Sequence, residues 1–203
     1  MCGNAIRCLA KHLIDNELVH GDQLTVGTLE TEKTIKILPN GYAVDMGQPR
    51  FHPSEIPIKA EGDRALEIRI PLGQHQVKLS AVSMGNPHGV VFVDDISRIP
   101  FEEWGPILEA YPIWPAKANI EFVQLIDRTT LLVRVWERGV GPTLACGTGA
   151  CASAVIAATR GLANRQVTVS LPGGDLEIDW YSDNHVWMTG PAAKVFSGFL
   201  TKE

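Results

Sequence analysis

The sequence predicts an α+β fold built as two related halves. Three observations predict it. Segments of alternating polarity outnumber helical ones along the chain, one helix opens in each half, and both helices begin at a Cys-Gly pair. The two openings, CGNAIRCLA over residues 2–10 and CGTGACASA over residues 146–154, share a polar-small pair after the glycine, a second cysteine and a helical continuation. That match, with Gly-bearing hairpin turns following each helix, marks an internal pseudo-repeat.

Hydrophobic period justifies the elements in order. Ile6, Leu9, Ala10, Leu13 and Ile14 recur at helical spacing, which predicts a helix from Gly3 until polar residues take over near Asn16. LTVGT and TIKIL alternate like half-buried strands, and Pro39, Asn40 and Gly41 form a hairpin turn before YAVDM. The Pro-, Gly- and charge-rich stretch 48–73 holds one short strand, LEIRI, and the domain junction. VKLSAV, the loop SMGNPHG and the apolar run VVFV open the second half. NIEFVQLI and TLLVRVW lead into a small-residue helix, followed by QVTVSL, LEIDW, HVWMTG and KVFSGFL. The expected division is a first domain over 1–73, completed by a C-terminal strand over 191–203, and a second over 74–190.

Composition narrows the function classes. A chain of 203 residues with 45% hydrophobic and 20% charged residues has the balance of a soluble globular protein with a sizeable core. A net charge of -5 offers no basic footprint, so nucleic acid is not an expected partner. No apolar run approaches a membrane span and MCGNAIRC lacks a signal-peptide layout, so the expected location is cytoplasmic, away from membranes. Four cysteines in such a chain read as thiols of a reducing compartment rather than as a disulfide scaffold.

Three readings of those cysteines compete. Metal binding is disfavoured: on a helix, residues six and five apart are rotated by roughly 240° and roughly 140°, and no CxxC pair exists, so no metal is expected. Buried packing suits Cys8 and Cys151, which lie among Leu, Ala and Val. Chemistry suits Cys2 and Cys146, because the positive end of a helix favours the reactive thiolate. The free amides of Gly3, Asn4, Gly147 and Thr148 are placed to hold an anionic group. Two thiols on equivalent ends of related halves suggest a two-base device: one removes a proton from a substrate carbon and the other returns one to the opposite face. Such a device inverts a stereocentre without a cofactor.

These motifs resemble the diaminopimelate epimerases. The resemblance runs through MCGNAIRC, VDMGQPRF, MGNPHGVVFV, ANIEFVQ, RVWERGVGPTLACGTGACASA and VWMTGPAAKVFSGFL, and so along the whole chain. It implies two pseudosymmetric domains, each a curled mixed β-sheet around a central helix. It also implies cofactor-independent conversion of LL-diaminopimelate to the meso form, for lysine and peptidoglycan synthesis, by a homodimer. Residue by residue, it makes Cys2 and Cys146 the acid-base pair, tuned by His88 and Glu137. Asn86 and Asn119 match side chains that hold the substrate, and Glu137 with Arg138 match the pair that grips its distal end. The amides of Gly3, Asn4, Gly147 and Thr148 match contacts to its anionic groups.

Two departures from the family pattern stand out. The family's first domain begins well before its first catalytic cysteine, whereas here only Met1 precedes Cys2. The expectation is a first domain truncated at its N-terminus, a helix with Ile6, Leu9, Leu13 and Ile14 exposed, and low or absent activity for this chain alone. Ala5 stands where the family usually has glycine. Each motif has a plainer alternative: Asn86-Pro87-His88-Gly89 as a turn, Glu137 and Arg138 as a solvated pair, Asn119 as a polar strand start. His12, His20, His52, His75 and His185 lack a motif, and Trp104, Trp114 and Trp180 suit packing. Competing functions are a sibling two-cysteine isomerase (a proline racemase, hydroxyproline epimerase or phenazine-type isomerase), a thiol hydrolase, and an inert binding remnant. Glu137 and Arg138 beside ACGTG argue against the siblings, whose monoamino substrates have no distal zwitterion to grip.

Overall fold

A computed structural model describes residues 3–28 and 31–198. The first helix, α1 (Gly3–Asp15), turns Gly3, Ile6, Arg7 and Ala10 inward, the i, i+3, i+4, i+7 stripe of a helix lying on a core. Ile6 is 6% exposed, contrary to its expected exposure, because α1 packs on strand β3 (Gly41–Gly47). Leu9 on the outer face is 39% exposed. Cys8 is also exposed, which corrects its expected packing role: it falls on the helix face turned away from β3.

Strands β1 (Gln23–Gly27), β2 (Glu32–Leu38) and β3 form an antiparallel meander. Pairing of Leu38 with Gly41 leaves Pro39 and Asn40 as its two-residue turn. A 3-10 turn, Pro53–Glu55, precedes β4 (Ile68–Leu72), β5 (His75–Ser83) and β6 (Pro87–Val93), which form a second meander. The boundary expected after residue 73 falls in the β4–β5 turn, so the flanking strands share a single hairpin. Helix α2 (Phe101–Glu109) crosses from β6 to its parallel neighbour β7 (Asn119–Leu125). The rest comprises β8 (Thr130–Glu137), β9 (Gly141–Thr143), α3 (Gly147–Thr159), β10 (Gln166–Leu171), β11 (Gly174–Trp180) and β12 (Val186–Gly190).

Among the described residues these strands make one mixed sheet, ordered β1-β2-β3-β12-β11-β10-β8-β7-β6-β5-β4, with β9 paired to β8. Helix α3 lies on its inner side and packs against β5 to β8 and β10 to β12. Residues 147–157 of α3 are all buried, as befits a helix apolar on every side. Its Gly, Ala, Ser and Cys side chains let strands approach on all of them. Alternation along β7 separates two cores: Val123 faces α3, while Ile120 and Phe122 face α2.

Two expectations are corrected. The chain carries a further helix, α2, whose Gly105 and internal Pro106 are weak helix formers and hid it. Gly105 is needed there, since a Cβ would lie 2.4 Å from the Trp136 ring. The strand expected over 191–203 is not formed across 191–198, and residues 199–203 lie outside the described residues. Residues 191–198 continue from β12 in irregular conformation, while the sheet ends at β1 on one side and β4 on the other.

Candidate active site

The site is built around the first turn of α3. Cys146 is the N-cap, in extended conformation (φ -125°, ψ 110°), and its Sγ accepts a hydrogen bond from the Gly149 amide at 3.4 Å. Thr148 Oγ1 lies 3.5 Å from the same sulfur. Gly149 is required by space: a Cβ there would lie 2.8 Å from Glu121 Oε1 and 3.3 Å from Cys146 Sγ.

Strands β6 and β7 supply the polar wall. His88 and Asn119 are paired across them, and both are buried. His88 Nδ1 lies 2.7 Å from Glu121 Oε1, and Nε2 lies 3.0 Å from Asn86 Oδ1. Asn86 Nδ2 in turn reaches Thr148 Oγ1 at 3.5 Å. Asn86, His88, Thr148 and Cys146 are thus brought together. Asn119 is bonded within the protein: Nδ2 donates to the Pro87 carbonyl at 2.9 Å, and Oδ1 accepts from the Arg138 amide at 3.0 Å. It ties the start of β6 to the turn after β8. That turn is fixed further by Glu137 Oε1, which accepts from Thr143 Oγ1 at 2.7 Å. Glu109, at the end of α2, accepts from the Gly139 amide, Trp136 Nε1 and Lys117 Nζ.

The other half approaches through α1. Cβ atoms on Gly3 and Gly147 would both run into Met188, at 2.5 Å from Cε and 2.9 Å from Sδ respectively, and the latter would stand 3.8 Å from Gly3 Cα. The two helices therefore open side by side over one methionine. Asn4 Oδ1 accepts from the guanidinium of the buried Arg7 at 3.0 Å. Cys2 lies outside the described residues.

Electrostatics corrects the expectation of a thiolate at Cys146. Burial, with the carboxylates of Glu121 and Glu137, pushes this thiol from 9.0 up to about 12, although Thr148 and the Gly149 amide favour the anion. Desolvation and negative neighbours outweigh the helix end. Glu121 itself is a site residue that sequence reasoning passed over. Its signal lay within ANIEFVQ: a carboxylate amid apolar strand positions, sharing a face with Asn119 by the alternation of a strand. Among the described residues, no group of three or more His, Cys, Asp or Glu side chains is placed to hold a metal ion. No helix there is long and apolar enough to cross a membrane.

Comparison with known proteins adds sequence and fold relatives. Residues 80–195 match the family described as diaminopimelate epimerase. A diaminopimelate epimerase from Desulfitobacterium hafniense is 46% identical over 208 residues, covering all of this chain and 74% of the relative. One from Synechococcus elongatus is 46% identical over 98% of this chain and 72% of its own length. In structure, a phenazine biosynthesis protein of the PhzF family from Enterococcus faecalis superposes with a TM-score of 0.65 at 14% identity, over 94% of this chain and 69% of its own. That last likeness establishes shared fold alone.

Proposed function

The chain belongs to the diaminopimelate epimerase family, and from that premise we propose that Cys146 and Cys2 are the two acid-base groups of its reaction. The reaction is epimerisation of LL-diaminopimelate to the meso isomer. The observation that carries the assignment is the adjacency of Gly3 and Gly147 over Met188, which sets the first turns of α1 and α3 at one place.

With the substrate α-carbon between two sulfurs, the thiolate of one cysteine removes the α-proton. The electron pair left on carbon spreads onto the neighbouring carboxylate, where the free amides of Gly147 and Thr148, and of Gly3 and Asn4, stabilise it. The thiol of the other cysteine then gives its proton to the opposite face. One sulfur ends protonated and the other ionised, so exchange with water restores the starting pair. A thiol held up at about 12 by burial and two carboxylates suits Cys146 to the protonated role at rest, leaving Cys2 as the base for the LL substrate. No cofactor is needed in this scheme, since the sulfurs hold and move the proton.

Glu137 and Arg138 supply opposite charges for the substrate's distal amino and carboxyl groups, and Asn86 supplies neutral polar contacts. Asn119 acts by fixing the Arg138 backbone. Family resemblance supports a cytoplasmic homodimer, for which sedimentation at working concentration is the direct check. The test of the cysteine pair is mild oxidation followed by peptide mapping. A Cys2–Cys146 cross-link, reversed by reductant with return of activity, is the expected result. Cross-links confined to Cys8 or Cys151 would count against the pairing.

A further inference from the structure

Glu121 is fully buried on β7, on the face turned to α3, where Val123 two residues on is plain core. One carboxylate oxygen meets His88 Nδ1, and the other, Oε2, has no hydrogen-bond partner among the described residues. Such an arrangement is costly, because a buried charge with incomplete bonding is less stable than a packed apolar side chain of similar size. Yet the packing around it is arranged to accept it. The Gly149 position has room for the carboxylate only because it lacks a Cβ, and the amide of that same glycine donates to Cys146 Sγ.

From Glu121 the bonds run in sequence to His88, Asn86, Thr148 and the Cys146 sulfur. We propose that Glu121 is a positioning residue: it fixes a proton on His88 Nδ1, aims Nε2 at Asn86, and sets a negative charge behind the Cys146 thiol. A carboxylate has only acceptors, so Nδ1 must carry the hydrogen in this contact. The charge behind the sulfur favours its protonated form, and ionisation at this site is thereby tied to β7. Among the described residues, the charged and titratable groups around the thiol are Glu121 from β7, Glu137 from β8, His88 from β6 and Cys151 from α3. Arg7 of α1 and Lys33 of β2 act on Cys151 from the other half.

The consequence for turnover rests on the reading of Cys146 as an acid-base group, but the readouts below need no substrate. In Glu121→Gln the amide oxygen still accepts from His88 while the charge is gone. Iodoacetamide labelling of Cys146, followed by peptide mapping against pH, should show a midpoint lowered by about one pH unit or more. Epimerisation should show a fall in kcat with KM little changed, since Glu121 is two bonds of the chain away from Asn86. An unmoved labelling midpoint in folded Glu121→Gln would overturn the proposal. Should that variant fail to fold, nitrogen-15 NMR of histidine in the unmodified protein decides: a proton on His88 Nδ1 is required, and a bare Nδ1 overturns it. A shifted midpoint in Glu121→Gln with no epimerisation by the unmodified protein would retain the positioning role and remove the two-cysteine reading.

Discussion

Cys146 shows how local chemistry and surroundings compete at a single residue. Its N-cap position favours the anion, but burial and two carboxylates prevail and leave a thiol at about 12. Because the folded state holds this proton more tightly than the unfolded chain, the associated stability is fully present below the ordinary 9.0 and is lost as pH rises toward 12. Urea midpoints should therefore fall more between about pH 8 and about pH 10.5 in the wild type than in Cys146→Ala. Gly149→Ala places a methyl group against both Glu121 and the sulfur. It should cost about 1–3 kcal/mol of stability and reduce turnover, read from a denaturation curve and a product assay on the same sample. Cys146 was legible in sequence because a helix visibly starts there. Glu121 was not: its meaning depends on which face of β7 meets α3, and alternation alone does not say which side is core.

Elements differ in how openly the sequence declares them. The amphipathic stripe of α1 and the two-residue turn after β2 follow from period and turn chemistry. Helix α2 runs against its own propensities and exists because Phe101, Gly105 and Leu108 pack inward, with Trp136 seated over Gly105. Gly105→Ala should thus destabilise by about 1–3 kcal/mol, despite the better helix propensity of alanine, as thermal unfolding would show. At the end of α2, burial alone would raise the Glu109 carboxyl. Hydrogen bonds from Gly139 and Trp136 and the bond and charge of Lys117 outweigh burial and leave it below its ordinary 4.5. That stability is present above 4.5 and lost as pH falls below it. Glu109→Gln should cost about 1–3 kcal/mol near neutral pH, with the gap to wild type closing in acid. If the gap is the same at both ends, Glu109 does not anchor the turn carrying Glu137 and Arg138 through its charge.

At the scale of the whole molecule, the joining of the two halves is the feature that local reading could not supply. Strand β12 inserts between β3 and β11, so residues 186–190 pair with 42–47 across most of the chain length. No periodicity announces such a pairing; only the matched Cys-Gly openings hinted that the halves belong to one site. This insertion carries Met188 to the place where Gly3 and Gly147 meet, and so determines how far apart the two helix starts can be. Met188→Ala should leave the fold intact but loosen that spacing, lowering kcat and slowing oxidative joining of Cys2 to Cys146 together. The most direct measurement is deuterium incorporation in heavy water. The protein expressed from its native gene is incubated with LL-diaminopimelate under reducing conditions, beside Cys2→Ala and Cys146→Ala. Meso product carrying deuterium at the inverted carbon should form with wild type and fall about 100-fold or more in either variant. Meso product at the wild-type rate from either variant would contradict the two-cysteine account.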